Sequence, residues 1–145
     1  MSAEQKAIPV ATERDRPYWD GAREHKLVLQ RCSGCMLYSA QPRVVCPRCH
    51  GTDFEFSPVS GRGVIFSYAI ARQTLAPGFG DELPYVFVEV QIDEEPTCVV
   101  MANLLIDESR FDQLDLGLPV EVVFEDRGEA TLPQFRLAEG GSDGI

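Results

Sequence analysis

The chain has 145 residues, 44% of them hydrophobic and 25% charged, with a formal net charge of −10. That composition is globular, and the length suits either one ordinary core or a small metal-stabilised module joined to a compact domain, the second being expected here. No apolar run approaches the roughly 20 residues of a membrane helix, and the opening MSAEQKAIPVATERDRP lacks the apolar core of a signal peptide, so the expected compartment is cytoplasmic. Charge is also unevenly spread: residues 1–72 carry ten Lys and Arg against seven Asp and Glu, residues 73–145 three against sixteen, so the second half repels polyanions.

Residues 1–13, small and polar with no periodicity, read as a flexible leader. RDRPYWDGAREHKLVLQ predicts a short helix with Asp15 or Arg16 at its cap and Pro17 in the first turn, where a missing amide hydrogen costs nothing. Gly21 weakens that helix. Tyr18 and Trp19 lie on it and have two readings, packing on the chain's own domain or forming part of a partner-docking surface, where such aromatics are enriched. Leu27 to Gln30 reads as an extended segment leading into Cys32.

Next comes QRCSGCMLYSAQPRVVCPRCHG, holding four of the five cysteines as two C-x-x-C pairs with ten residues between them. An odd number of thiols in a reduced compartment argues against a disulfide framework and for metal ligation. Each pair can form a knuckle that aims two sulfurs at one point, and two facing knuckles make a tetrahedral site. Cys32, Cys35, Cys46 and Cys49 would fill all four positions and leave none for water or substrate, so the metal is expected to be one structural zinc ion, preferred over iron on availability. The cluster would let a segment of about 30 residues hold its shape without a core of its own. His50 is read as solvated or capping the knuckle. Arg31, Arg43 and Arg48 are either a phosphate-facing patch or solubilising charge.

From Pro58 onward the pattern is that of strands. GRGVIFSYAIAR alternates Val64, Phe66, Tyr68 and Ile70 against smaller residues, and PYVFVEVQID alternates Val86, Val88, Val90 and Ile92 against Tyr85, Phe87, Glu89 and Gln91. DEEP, residues 93–96, predicts a turn into a third strand, TCVVMANLL; Phe111 and Leu114 mark a single helical turn; LPVEVVFED and LPQFRLA complete the set. Five strands with a helical segment between the third and fourth is the element order of an OB-fold barrel. The predicted class is therefore mainly β: helix and zinc ribbon over residues 14–57, barrel over 58–138, and a frayed tail over 139–145. The insert QTLAPGFGDELP, residues 73–84, is a long irregular loop of the kind that carries binding surfaces.

In this order RPYWDGAREHKLVLQRC, CSGCMLYSAQPRVVCPRC, SGRGVIFSYAIAR, LPYVFVEVQID and LGLPVEVVFED resemble the family called domain of unknown function thirty-five, which joins a rubredoxin-like zinc ribbon to an OB-fold. The resemblance covers roughly residues 14–138. It implies an accessory subunit of acyl-CoA metabolism, of lipid, steroid or polyketide type, that binds acyl-CoA and docks onto a thiolase-like, MaoC-like enoyl-CoA hydratase or aldolase partner. Only the four cysteines carry over as functional residues; Ser60 to Gly63 and Pro84-Tyr85 match the pattern as architecture, and Met36 departs from it where the first knuckle often has glycine.

Catalysis by the chain itself is not expected. His25 and His50 are the only histidines, one read on the first helix and one on the ribbon, no Ser-His-Asp spacing is evident, and Cys98 reads as a small packed residue in its strand. The rival reading is a single-stranded nucleic-acid-binding ribbon and OB-fold with Phe66, Tyr68, Tyr85 and Phe87 as a stacking platform. The acidic barrel, with three basic residues after Arg72, opposes it and makes those aromatics core residues instead. For acyl-CoA a few arginines suffice: Arg62 and Arg72 at the ends of the first barrel strand and Arg43 or Arg48 on the ribbon, with the apolar arm in a crevice between ribbon and barrel and Phe79 covering it.

Overall fold

The computed structural model describes residues 8–73 and 83–138. Phe79 and most of the 73–84 insert lie outside the described residues, as do the start of the leader and the 139–145 tail.

Helix α1 spans Arg16–Arg23, with Asp15 at its cap and Pro17 in the first turn. Its end is closed by bonds from the His25 amide to the Ala22 carbonyl (2.9 Å) and the Lys26 amide to the Gly21 carbonyl (2.9 Å), with His25 in the left-handed region at φ 61°. His25 therefore follows the helix instead of lying on it, and its ring stacks on Phe124 at 5.0 Å. Gly21 has a packing reason: a Cβ there would sit 2.4 Å from Val28 Cγ2, so only glycine lets the helix lie this close to the strand it covers.

That strand, β1 (Leu27–Cys32), is central in a three-stranded antiparallel sheet with β2 (Tyr38–Ser39) on one side and β3 (Phe54–Val59) on the other. β3 is not evident in the sequence: FEFSPV alternates over three steps and contains Pro58, which this outer strand tolerates because it has a partner on one side only. Two residues, Ser60 and Gly61, join β3 to the barrel. Gly61 is buried at φ +83°, and a Cβ there would meet Val122 Cγ1 at 2.3 Å. The Ser60 amide donates to Glu94 Oε2 (2.6 Å), and the Val122 amide donates to the Gly61 carbonyl (2.8 Å).

The closed barrel contains β4 (Arg62–Ala71), β5 (Tyr85–Ile92), β6 (Glu95–Leu104), β7 (Pro119–Arg127) and β8 (Ala130–Leu137), in the spatial order β4-β5-β6-β8-β7. A 3-10 helix, Glu108–Gln113, separates β6 from β7 and is capped by the Asp107 carboxylate on the Ser109 amide. This is the OB order expected from the strand count. The turn before β6 is shorter than DEEP suggests, because the strand resumes at Glu95.

β4 departs from the simple alternation. Its register with β5 passes from Ile65↔Val90 to Ser67↔Glu89, so Phe66 is an extra, bulged residue. Ile65 is consequently buried, Tyr68 and Ile70 pack on the core, and Phe66 is 50% exposed. On β5 the valines Val86, Val88 and Val90 take the interior, which leaves Tyr85 and Phe87 half-buried on the alternate positions. The expectation that the four aromatics are core residues is thus corrected: Tyr68 packs on the core, Phe66 does not, and Tyr85 and Phe87 share the outer face.

Barrel closure is narrow between β6 and β8, which pair in parallel at Leu104↔Phe135 alone. Buried Gln134 reinforces the seam, its Oε1 accepting the Asn103 amide (2.8 Å) and its Nε2 donating to Glu125 Oε1 (2.9 Å). Ribbon residues complete the interior: Leu27, Leu29 and Tyr38 belong to the same buried cluster as Val86, Val88, Val90 and Phe135. The ribbon strands therefore share the barrel's core in addition to carrying the metal site.

Candidate metal centre and adjoining cleft

The two knuckles have matching backbone bonds. Met36 and His50 amides donate to the Cys32 and Cys46 carbonyls (2.8 and 2.9 Å), and Cys32 and Cys46 amides donate to the Leu37 and Gly51 carbonyls (2.9 and 2.8 Å). Closing each turn this way puts the residue after the second cysteine in the left-handed region, Met36 at φ 69° and His50 at φ 65°. Each pays a steric cost that glycine would not. Both side chains are exposed.

The four sulfurs lie within 4.8 Å of one another, with Cys32 Sγ to Cys49 Sγ at 3.5 Å and Cys35 Sγ to Cys46 Sγ at 3.6 Å. A tetrahedral Zn–S₄ centre with bonds of about 2.3 Å has edges of roughly 3.8 Å, so the donor set fits one such ion. Backbone amides prepare the anions. The Cys35 amide, with that of Gly34, lowers the Cys32 thiol, and the Cys49 amide, with that of Arg48, lowers Cys46 to about 6. Cys49 goes the other way, to about 11: the Gly51 amide favours its anion, but the neighbouring Cys32 and Cys35 side chains, with burial, outweigh it. Four adjacent sulfurs cannot all ionise without a cation among them, and zinc supplies that charge. The centre is closed and structural.

Beside it lies a cleft of about 610 Å³ between the ribbon and β6, lined by the Leu37–Arg43 segment, Pro47 and Arg48 on one side and Thr97, Cys98 and Val99 on the other. Buried Gln30 shapes its ribbon wall, donating from Nε2 to the Arg43 carbonyl (3.0 Å) and accepting the Arg43 amide at Oε1 (2.8 Å). Arg48 reaches across to Glu95 Oε1 at 3.4 Å. Among the described residues Arg43 makes no ion pair.

The predicted anion-binding arginines therefore separate. Arg43 and Arg48 share the cleft. Arg62, exposed at the start of β4, lies beside the Asp93 turn, where its carbonyl accepts the Asp93 amide (3.0 Å). Arg72 follows the far end of β4, a whole strand away from Arg62. Tyr18 turns inward onto the core and Trp19 meets it edge-on at 4.8 Å. Trp19 is half-buried and borders two smaller hollows, one with the Ser39–Pro42 segment and one with Ile8, Arg23 and the Gly128 turn. Gln30, Glu95 and the β6 residues of the cleft were not evident as site residues, since pairings across 13 and 47 positions leave no local pattern.

Comparison with known proteins follows the same division. The ChsH2 rubredoxin-like zinc ribbon domain matches residues 19–55, and the ChsH2 C-terminal OB-fold domain matches residues 57–125. A probable enoyl-CoA hydratase alpha subunit from Thermomonospora curvata is 34% identical over 130 residues, covering 88% of this chain and 39% of that protein, so the chain spans about two-fifths of that relative's length. A DUF35 domain-containing scaffold protein from Pyrococcus furiosus is 32% identical over 108 residues, covering 73% of this chain and 74% of the other. Among solved structures, a chain of the Ltp2-ChsH2(DUF35) aldolase superposes with a TM-score of 0.78 at 30% identity, covering 90% of this chain and 99% of that one. A DUF35-family protein of unknown function from Sulfolobus solfataricus, 11% identical with a TM-score of 0.59, shares the fold across 88% of this chain and 87% of its own. With ribbon and barrel both matched and a relative of the same extent, the chain belongs to the DUF35 family.

Proposed function

We propose that this chain is a non-catalytic accessory subunit that binds acyl-CoA and docks onto a thiolase-like, MaoC-like enoyl-CoA hydratase or aldolase partner, in lipid, steroid or polyketide-type metabolism in the cytoplasm. The observation that carries the reading is its whole-length likeness to a chain of the Ltp2-ChsH2(DUF35) aldolase, at 99% coverage of that chain. A hydratase alpha subunit and a scaffold protein among the relatives support the same kind of role. The described residues include no helix long and apolar enough to cross a membrane.

The chemistry of the cleft is consistent with binding without turnover. Its one thiol, Cys98, is buried and pushed up to about 11, chiefly by burial and then by Glu95, so it stays protonated near neutrality and is a poor nucleophile. The metal has no open position for substrate. Arg43, with Arg48 once it exchanges Glu95 for a ligand phosphate, gives a short anion-binding wall, well short of the long cationic track a polynucleotide requires.

Co-expression with a thiolase-like or hydratase gene from the same neighbourhood tests the reading. A complex that survives size exclusion is expected, together with no hydrolysis or transfer of acyl-CoA by the chain alone. A chain that ignores every such partner, or that turns over a thioester unaided, would refute it. Tight, salt-sensitive binding of a single-stranded oligonucleotide would favour the nucleic-acid alternative.

A further inference from the structure

The backbone of β6 offers a second recognition element. Asn103 and Leu105 send their amide hydrogens away from β5, to Gln134 Oε1 (2.8 Å) and the Phe135 carbonyl (2.7 Å). The groups facing one side of a strand recur at every second residue. β6 holds an unbroken register with β5 from Val99↔Gln91 to Leu104↔Val86. Val99 and Met101 therefore direct their N–H and C=O to the same side as Asn103 and Leu105.

On that side β8 has already diverged, and among the described residues neither Val99 nor Met101 has a ladder partner there. Such an edge is usually covered, blunted or charged. Here its Thr97–Val99 end forms a wall of the cleft, facing the ribbon wall that carries Arg43 and Arg48. Among the described residues, the outward backbone groups of Val99 thus lack a ladder partner on one side of a cavity whose other side carries Arg43 and, paired with Glu95, Arg48.

We infer that this edge reads the pantetheine arm of the acyl-CoA proposed above, the arm lying extended along Thr97–Met101 as a short added strand with its phosphate end at Arg43. The inference rests on that acyl-CoA reading. The arm's two secondary amides each bring one N–H and one C=O, the complement of an unpaired strand edge. Recognition through the backbone is indifferent to the acyl group, so one cleft accepts thioesters of different chains. Leu37, Pro42 and Val99 supply apolar contact for the methylene segments.

The test uses the full zinc-loaded chain, titrated calorimetrically with coenzyme A, pantetheine 4′-phosphate and adenosine 3′,5′-diphosphate. Coenzyme A and pantetheine phosphate are expected to bind and the nucleotide alone to bind much more weakly. Val99→Pro removes the outward N–H without breaking the β5 ladder, and should weaken coenzyme A about tenfold while zinc content and melting temperature hold. Should that variant misfold, the Val99 and Met101 amide resonances of the unaltered chain are to shift on titration with coenzyme A. Coenzyme A binding that leaves both resonances and Val99→Pro unaffected would overturn the edge inference and leave the acyl-CoA reading standing. No binding by the chain, alone or with its partner, would overturn both. Protection of the two amides by the partner subunit with coenzyme A inert would replace the arm with a partner strand.

Discussion

Leu29→Ala tests whether ribbon and barrel fold as one unit. Leu29 sits on the ribbon strand β1, is 1% exposed, and belongs to the cluster that includes Val86, Val88 and Val90 of the barrel. Truncating a fully buried leucine costs about 2–5 kcal/mol, transfer and cavity together; a loss of about 3 kcal/mol lowers the melting temperature of a chain of this size by roughly 10 °C. Thermal unfolding of the zinc-loaded protein should show one transition moved down by that amount. Amide exchange at Val86, Val88 and Val90 should speed up in step, since those amides would open only with the shared core. Leu116→Ala, at a position 61% exposed, should change stability by less than about 0.5 kcal/mol. Two separate transitions, with exchange at the three valines unchanged in Leu29→Ala, would refute the shared core and return the ribbon to an independent module resting on its metal.

Met36→Gly should stabilise the metal-loaded chain by about 1 kcal/mol, because it relieves a left-handed backbone at the cost of some glycine entropy; chelator competition and melting temperature measure it. Gln134→Ala should cost about 1–3 kcal/mol by leaving the Asn103 amide unpaired at the β6–β8 seam, with faster exchange at Asn103 as the signature. Tyr18, pushed from 10.0 to about 12 chiefly by burial, with the Asp15 carboxylate adding to it, predicts alkaline weakening. The folded state holds the phenolic proton more tightly than the unfolded one, so the stability it contributes is complete below about pH 10 and is lost as the pH rises towards 12. Tyrosinate absorbance should follow unfolding in that window, and Tyr18→Phe should remove that part of the loss.

The cysteine spacing and the strand periods were the legible part, because both are local. Two C-x-x-C pairs state their own geometry, and Val86, Val88 and Val90 state which way β5 faces. Phe66 misled because a bulge inserts one residue without any mark in composition, and from that point the facing of β4 reverses. β3 escaped notice for the opposite reason: its pairing with β1 along Leu27↔Val59 to Cys32↔Phe54 is set by the ribbon's return path and not by its own short alternation. The arginines illustrate the limit of one-dimensional reading. Arg43 and Arg48 are close in the chain and in the cleft, whereas Arg62 and Arg72 bracket one strand and its length holds them apart.

The two-residue join at Ser60 and Gly61 also decides what kind of receptor the cleft can be. Glu94 holds Ser60 and Val122 packs against Gly61, so a short, tied join limits how far the jaw formed by the knuckles can swing towards β6. On the proposed acyl-CoA reading such a gap acts as a fixed gauge, selecting a guest by its thickness and putting little of its affinity into bringing the two walls together.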